Sequence, residues 1–152
     1  MKMRSRTVTV PEKSGPAEGW SIYRLDFKAV LVLWVPVLFY AGMIFFLSSQ
    51  SLDFIGEGPF PQWDKVAHGT EYGLFCFLLL RTLRWTFPRA AIPTLAVWAV
   101  LIAVAYGASD EFHQAFVPHR DSDVFDVLAD GGGASFVSAV WVLWNKKKPN
   151  TP

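Results

Sequence analysis

Charged residues and cysteine are both scarce in this sequence of 152 residues. Asp, Glu, Lys and Arg make up 18% of it, whereas an average soluble domain contains about 25%. The one cysteine, Cys76, lies within an apolar run, which excludes a disulfide within the chain and a Cys-x-x-Cys metal site. We interpret Cys76 as a small residue that faces lipid or the protein core. The low charge favours a membrane protein over a soluble one.

Common catalytic and targeting motifs are also missing. The chain has no His-Glu-x-x-His and no Gly-x-Ser-x-Gly motif, and no base is evident for Ser48, Ser49 or Ser135. No small-x-small cleavage site follows the first apolar segment, so we expect no cleaved signal peptide. The net charge of +1 neither favours nor excludes nucleic acid. We expect no nucleic-acid partner and interpret the clustered basic residues as signals of membrane orientation.

Long apolar runs are what the sequence does contain. It is 52% hydrophobic and 16% aromatic, with a mean hydropathy of +0.28. A bilayer core of about 30 Å needs about 20 helical residues, and the runs Ala29–Leu47 and Ala90–Ser109 meet that length. Two shorter runs can span only if their helices extend over about Asp64–Leu83 and Asp123–Trp144. The sequence therefore predicts an all-α membrane protein with four transmembrane helices.

Lys and Arg are distributed unevenly between the connections. They occur in the N-terminal arm, in the tail and between the second and third helices, whereas the other two connections hold only Lys65 and Arg120 among many acids. The positive-inside rule then places both termini in the cytoplasm. We predict a polar cytoplasmic arm over residues 1–28, a four-helix domain over 29–144 and a basic cytoplasmic tail over 145–152. The expected location is the inner (cytoplasmic) membrane, as a multi-pass protein.

The two extended helices carry ionisable residues into the membrane. With cytoplasmic ends at Leu83 and Trp144 and a rise of 1.5 Å per residue, Glu71 and Asp130 lie roughly 18–21 Å up a core of about 30 Å. A carboxylate at such a depth costs about 2–3 kcal/mol and is normally turned inward and paired. We therefore predict that Glu71 and Asp130 face the interior of the bundle at a similar depth.

Helical spacing gives three of the helices a polar face. Residues three or four positions apart share a face, and three such sets occur: Asp64, His68 and Glu71 or Tyr72; Asp110, His113 and Gln114; Asp126 and Asp130. We predict that these faces converge in a pocket open to the outside. The alternative is a buried hydrogen-bond network that only holds the helices together. We favour a site, because the ionisable groups exceed what packing needs.

Several kinds of chemistry fit such a pocket. His68 or His113 could act as a general acid or base tuned by a neighbouring carboxylate. Arg120 suits an anionic headgroup such as a phosphate, unless it is a solvated loop charge paired with Asp121 or Asp123. Carboxylates and histidines can also bind a divalent metal, although Asp-Glu-x-His-Gln at a helix end is a weak ligand pattern. The metal and any cofactor stay open.

Three stretches in register resemble the VanZ-like family of small bacterial integral membrane proteins. They are FFLSSQS at the end of the first helix, DKVAHGTEYGLFCFLLL from Asp64, and Y-x3-DExHQxFVPxRxxxxxDVLADxxG from Tyr106 to Gly133. The family is named for a protein that raises resistance to the lipoglycopeptide teicoplanin. The resemblance implies a multi-pass membrane protein of the bacterial cell envelope. The family-typical positions are Ser48, Ser49, Gln50, Asp64, Lys65, His68, Glu71, Tyr72, Asp110, Glu111, Gln114, Arg120, Asp126, Asp130 and Gly133.

Spacing and resemblance together give the candidate site. The catalytic candidates are His68, Glu71, Asp110, Glu111 and Asp126. The substrate-binding candidates are Lys65, Tyr72, Gln114, Arg120 and Asp130.

The leading hypothesis for function is that the pocket binds or modifies an envelope lipid or lipid-linked precursor and influences susceptibility to teicoplanin. Alternatives are a metal-dependent membrane hydrolase or transferase, and a non-catalytic partner or structural subunit of an envelope complex. The expected surroundings are a lipid bilayer. Whether the chain is an enzyme, and its oligomeric state, stay open.

Overall fold

The computed structural model describes residues 27–50, 60–118, 120 and 122–146. Its four helices are α1 (Phe27–Ser48), α2 (Trp63–Thr86), α3 (Ile92–Gln114) and α4 (Val124–Lys146). The prediction of an all-helical chain with four helices is confirmed for the part described. The predicted arm lies outside that part except for its last two residues, which begin α1, and the predicted tail is described only at its first two, which end α4.

Local sequence explains where the helices begin and how far they run. Gln62 precedes α2 in the left-handed region, with φ of 63°, and Pro93 occupies the first turn of α3, where its missing N–H costs little. The apolar run of α3 ends at Ser109, but the helix continues to Gln114. In this last turn Asp110, Glu111 and Gln114 are buried, so its polar side chains face the interior of the protein.

Three of the described helices, α1, α3 and α4, are long and apolar enough to cross a membrane, by length and composition. Their outer faces expose large apolar side chains, such as Phe39, Trp98 and Phe136. Exposed apolar surface on this scale suits lipid rather than water. α2 misses the same threshold because it carries charged residues near both ends and Glu71 within.

The helices form two pairs, α1 with α3 and α2 with α4, and the two pairs run in opposite directions. α1 packs against α2 and α3, and α4 packs against the same pair, whereas the described residues show no packing between α1 and α4. α2 and α4 run in the same direction, since Lys65 meets Asp126 near their starts and Phe77 meets Trp141 near their ends. α1 and α3 run in the opposite direction. Tyr72, Cys76 and small residues such as Ala99 and Ala103 fill the core between them, so Cys76 is a core residue.

Glycines bring α2 and α4 into backbone contact. A Cβ atom at Gly133 would overlap the carbonyl oxygen of Gly69, and one at Gly73 would lie 3.4 Å from the carbonyl oxygen of Gly133. Small residues let membrane helices approach this closely. The neighbouring Gly132 has no such role, because a Cβ there would meet nothing within 4 Å. Gly133 is therefore the glycine that sets the spacing of α2 and α4.

The two ends of the bundle differ in charge. One end, called the acidic end, is formed where α1 and α3 finish and where α2 and α4 start, and it carries most of the described carboxylates. The other end, called the basic end, carries Lys28, Arg81, Arg84, Arg89 and Lys146. The candidate residues lie at the acidic end.

Substitutions at two neighbouring glycines, Gly132 and Gly133, test the contact between α2 and α4. We expect Gly133→Ala to lower the free energy of unfolding by at least about 1–3 kcal/mol, because the new methyl group collides with backbone that cannot give way. Gly132→Ala should leave it unchanged or raise it by up to about 1 kcal/mol, because alanine favours the helix and meets open space. Denaturant titration of the detergent-solubilised protein measures both. Equal effects of the two substitutions would contradict the assigned contact.

Candidate functional site

The acidic end holds two groups of polar side chains. The first, called the carboxylate cluster, lies between α2, α3 and α4 and consists of Lys65, His68, Glu111, Asp123, Asp126 and Asp130. The second, called the serine cluster, lies between α1 and α3 and consists of Ser48, Ser49, Asp110, His113 and Gln114.

Lys65 organises the outermost part of the carboxylate cluster. Its Nζ atom lies 2.6 Å from Asp123 Oδ2, 2.7 Å from Asp126 Oδ1 and 3.0 Å from Asp64 Oδ2. Lys65 is in the first turn of α2, and Asp126 is in the first turn of α4. Because the two helices are parallel and start at the same level, one ammonium group joins both helix starts and the connection that precedes α4.

His68 and Asp130 form the next layer of this cluster. His68 Nδ1 lies 3.1 Å from Asp130 Oδ1, and Asp130 is only 1% exposed. A Cβ atom at Gly107 would overlap Asp130 Oδ2, so glycine at this position of α3 makes room for the carboxylate. Gly107 was missed from the sequence; the signal that could have found it is a glycine one turn before Glu111 in an otherwise apolar helix.

The sequence predicted a similar depth for Glu71 and Asp130 but no partner for Asp130. The structure pairs Asp130 with His68, about one turn before Glu71 along α2. The register of α2 and α4 brings the two side chains together, and it is fixed by backbone contact of Gly69 with Ala129 and Gly133.

Glu111 joins α3 to this cluster. Its Oε2 atom accepts a hydrogen bond of 2.9 Å from the backbone N–H of Asp123, which ties the end of α3 to the start of α4. His68, Glu111 and Asp126 each offer a ligand atom, and these three atoms all lie within 4.8 Å of one another. Within the part of the chain described, these are the residues that could hold a metal ion.

The serine cluster centres on Asp110. Its Oδ2 atom accepts hydrogen bonds from Ser48 Oγ at 2.5 Å and from Gln114 Nε2 at 3.0 Å, and Gln114 Nε2 also donates to Ser48 Oγ at 3.0 Å. The two bonds of Ser48 cross from α1 to α3, whereas the bond from Gln114 to Asp110 lies within α3, and all three are buried. They hold the end of α1 against the end of α3.

Ser49 does have a histidine beside it, contrary to the expectation from the sequence. Ser49 Oγ lies 3.0 Å from His113 Nε2, and the His113 ring stacks on Phe45. The Ser49 hydroxyl, however, donates its proton to the backbone carbonyl of Phe45 at 2.7 Å. A serine whose proton is already given to the backbone is not arranged to pass it to the ring, so this pair is arranged for packing rather than for nucleophilic attack.

Arg120 contacts the end of α1. Its Nε atom donates to the carbonyl of Gln50 and its Nη2 atom donates to the carbonyl of Leu47, each at 3.0 Å. The last carbonyls of a helix lack partners within the helix and carry partial negative charge, so an arginine stabilises them. The ion pair between Arg120 and Asp123 considered from the sequence does not form, because Asp123 pairs with Lys65; Asp121 lies outside the residues described.

Glu71 and Tyr72 lie on different sides of α2. Glu71 is half-buried beside a cleft of about 360 Å³ on the flank of the bundle, and the cleft is lined by Tyr40, Trp63, Val66, Ala67, Thr70 and Glu71. Tyr72 is fully buried, and its ring lies 6.4 Å from that of Tyr106. Its hydroxyl is close enough to Asp110 and Asp130 to interact with both charges, so Tyr72 lies between the two clusters.

Four buried polar atoms have no hydrogen-bond partner among the residues described: Tyr72 Oη, Asp110 Oδ1, Glu111 Oε1 and Asp130 Oδ2. The four residues are at most 5% exposed. Leaving one such group unsatisfied costs about 1–3 kcal/mol, and more if it is charged. Two of these atoms belong to the carboxylate cluster, one to the serine cluster and one to the tyrosine between them.

The structure thus separates the candidates predicted from the sequence into three groups. Lys65, His68, Glu111, Asp126 and Asp130 meet in the carboxylate cluster. Asp110 and Gln114 meet in the serine cluster, with Tyr72 between the two. Glu71 and Arg120 lie apart, at the flank cleft and at the end of α1 respectively.

Comparison with known proteins gives one family and one relative. A family model described as VanZ/LLP1 matches residues 12–145, which include all four helices. The uncharacterized protein C11E3.10 of Schizosaccharomyces pombe is 28% identical over 121 residues, covering 80% of this chain and 67% of the yeast protein. No solved structure matches.

The ion pair at the mouth of the carboxylate cluster predicts a pH dependence. The hydrogen bond from Lys65 lowers the pKa of Asp123, which precedes α4, below its ordinary 3.8. Because this pKa is lowered in the folded protein, the stabilisation is present above pH 3.8 and is lost as the pH falls through the folded pKa. Lys65→Met should therefore return the pKa of Asp123 toward 3.8, as followed by the carboxyl-carbon chemical shift.

Lys146→Met is the control, since Lys146 lies at the basic end. An Asp123 titration that is the same in wild type and Lys65→Met would contradict the assigned ion pair.

Proposed function

This chain belongs to the VanZ/LLP1 family, and we propose that it is a four-span protein of the cytoplasmic membrane of a bacterium whose acidic end binds the headgroup of an envelope lipid or lipid-linked precursor. The proposal has three parts: that α2 is the fourth span, that the acidic end faces outward, and that the clusters there form a ligand site.

Length and packing support α2 as the fourth span. Its 24 residues would extend about 36 Å at 1.5 Å per residue, enough for a bilayer core of about 30 Å. It packs against each of the other three helices and buries Phe75, Leu79 and Leu83. Lys65 is neutralised by ion pairs, Arg81 and Arg84 lie toward the basic end, and Glu71 is half-buried at the flank cleft, so no charge of α2 is fully exposed in the middle of the span.

The charge difference between the ends supports the orientation. The basic end gathers Lys and Arg from all four helices or their connections, whereas Lys65 at the acidic end is surrounded by carboxylates. Cytoplasmic segments carry an excess of Lys and Arg. Under this rule the basic end and both termini are cytoplasmic, and the two clusters open outward.

The observation that carries the ligand site is the set of four buried polar atoms without partners. A network that serves only to join helices is expected to satisfy its own donors and acceptors. These four atoms, which come from α2, α3 and α4, instead keep hydrogen-bonding capacity that a bound polar group could use. The flank cleft beside Glu71 lies apart from the clusters, and its apolar wall, formed by Tyr40, Trp63 and Val66, suits a lipid chain at the surface of the bundle.

Catalysis would use the pair His68 and Asp130. A carboxylate bonded to one ring nitrogen orients a histidine and favours its charged form, which is the arrangement of a general acid or base. The nucleophile and the bond broken are not assigned. The proposal therefore covers binding first and modification of the bound lipid second.

Reporter fusions test the topology. Alkaline phosphatase fused within residues 51–59 or after Pro118 should be active, and fused after Phe87 or Lys146 it should be inactive, because this enzyme folds only outside the cytoplasm. Green fluorescent protein at the same sites should give the reverse pattern. If the fusions at the two ends of α2 report the same side, α2 does not span the membrane and this part of the proposal is wrong.

Native mass spectrometry of the purified protein tests the ligand site. Wild type should carry phosphate-containing lipid adducts, and Asp130→Asn should reduce their occupancy at least tenfold, because the buried site loses the negative charge of Asp130. Ser138→Ala is the matched control, since Ser138 also lies buried on α4 but bonds to Ala96, well away from the site. In cells, teicoplanin susceptibility is the corresponding readout.

Retained adducts in Asp130→Asn, or equal loss in both variants, would contradict the site. A stoichiometric protein that co-purifies while no lipid does would support the alternative of a structural subunit in an envelope complex.

A further inference from the structure

We propose that His68, Glu111 and Asp126 bind a single divalent transition-metal cation between α2, α3 and α4. This cation would be the group that joins the acidic site to the phosphate of a lipid, so its role in lipid binding rests on the proposed function, whereas cation binding itself does not.

The three ligands come from three helices and converge at one point. Their ligand atoms, one from each residue, lie within 4.8 Å of one another. Around a cation with bonds of about 2.0–2.2 Å, such atoms are separated by about 3–3.5 Å. Side-chain rotations that move each atom inward by an ångström or less would close this difference without moving a helix.

His68 is already oriented for a cation. Its Nδ1 atom is engaged by Asp130 Oδ1 at 3.1 Å, which leaves Nε2 as the nitrogen for a ligand bond. Histidines that bind metals commonly donate their other N–H to a carboxylate, and this bond fixes the tautomer and the ring plane. The space that Gly107 leaves for Asp130 therefore positions the ring of His68 indirectly.

Glu111 gives independent evidence for a bound cation. Its Oε2 atom is fixed by the backbone N–H of Asp123, and its Oε1 atom is buried without a hydrogen-bond partner among the residues described. Glu111 is 4% exposed. A buried carboxylate oxygen that is held rigidly and lacks a donor is satisfied by a cation.

The charge of the cluster fits a divalent ion. Four carboxylates, of Glu111, Asp123, Asp126 and Asp130, accompany the single ammonium of Lys65. Lys65 binds Oδ1 of Asp126 and Oδ2 of Asp123, so Oδ2 of Asp126 is left for a cation. With four carboxylates and one ammonium, a divalent cation would leave one negative charge instead of three, and such charge is costly to keep in a membrane.

The donor set indicates which ions bind. One imidazole nitrogen with two carboxylate oxygens suits Zn²⁺ or Mn²⁺ better than Mg²⁺ or Ca²⁺, which prefer oxygen ligands alone. Three protein ligands leave at least one position open for water or a phosphate oxygen. The cation would therefore both bind to the protein and present a Lewis acid to the ligand.

Titration of the full-length chain in detergent tests the cation site. After treatment with EDTA and its removal, the protein should bind one equivalent of Zn²⁺ by calorimetry and one of Mn²⁺ by the loss of the free-ion electron paramagnetic resonance signal. His68→Ala, Glu111→Gln and Asp126→Asn should each weaken Zn²⁺ binding at least tenfold. Asp130→Asn should weaken it by about 10–100-fold, because a neutral amide oxygen orients His68 less strongly than the carboxylate does.

His113→Ala is the matched control, since it removes a histidine of the acidic end that lies in the serine cluster, and it should leave Zn²⁺ affinity unchanged. Glu111→Gln preserves side-chain volume, so an unchanged thermal melting temperature shows that its weaker binding is not a folding defect. No saturable binding in wild type, or equal loss in His113→Ala and His68→Ala, would overturn the proposal.

Each of the two proposals can be contradicted without contradicting the other. Stoichiometric Zn²⁺ binding by a protein that carries no lipid would support the cation site and contradict the proposed function. Lipid adducts that persist at full occupancy after EDTA treatment would support the proposed function and contradict the bridging role of the cation.

Discussion

The backbone contact between α2 and α4 at Gly69 and Gly133 is the constraint on which the acidic end depends. With the two helices parallel and touching, residues about sixty positions apart in sequence face each other turn after turn: Lys65 meets Asp126, and His68 meets Asp130. α3 contributes to the cluster through Glu111 and through Gly107, which admits the carboxylate of Asp130. Three glycine positions thus bring together side chains from three helices. A larger residue at Gly133 would separate the charged pairs before it affected the apolar half of the bundle.

The carboxylate cluster is unusual because two of the three helices that carry it, α3 and α4, are long and apolar enough to cross a membrane. In water, carboxylates and a lysine at helix ends would be a solvated surface with small energetic effect. Here Asp130 and Glu111 are buried in a chain whose other faces expose large apolar side chains. Ionisable groups in such a position are costly and are kept where they bind something or move charge. For this reason we propose that the clusters bind a ligand rather than only hold four helices together.

Particular residues show how much of the fold and of the candidate site could be predicted from the sequence. Apolar length predicted four helices, and the shortage of apolar residues in the second and fourth runs correctly extended them through His68 and Asp130. Helical spacing could not supply the register between helices. The pairing of Asp130 with His68 follows from glycine contacts, and the contact of Arg120 with α1 follows from the path of the chain between α3 and α4. Ser49 beside His113 was missed because the two residues lie on different helices, with no pattern that links them.

The hydrogen bonds that hold α1 in place have a consequence for how its sequence can change. Thr82 donates to the carbonyl of Leu33, Tyr106 to that of Ala41, and Arg120 to those of Leu47 and Gln50. Every residue type offers the same carbonyl group, and a helical carbonyl has a second lone pair for such a bond. The apolar side chains of α1 can therefore drift among lipid-compatible residues while the helix stays docked, whereas Thr82, Tyr106 and Arg120 cannot. Among homologous chains, the apolar part of α1 should be recognisable by the donors elsewhere in the chain rather than by its own side chains, whereas the end of α1 is marked by Ser48 and its bond to Asp110.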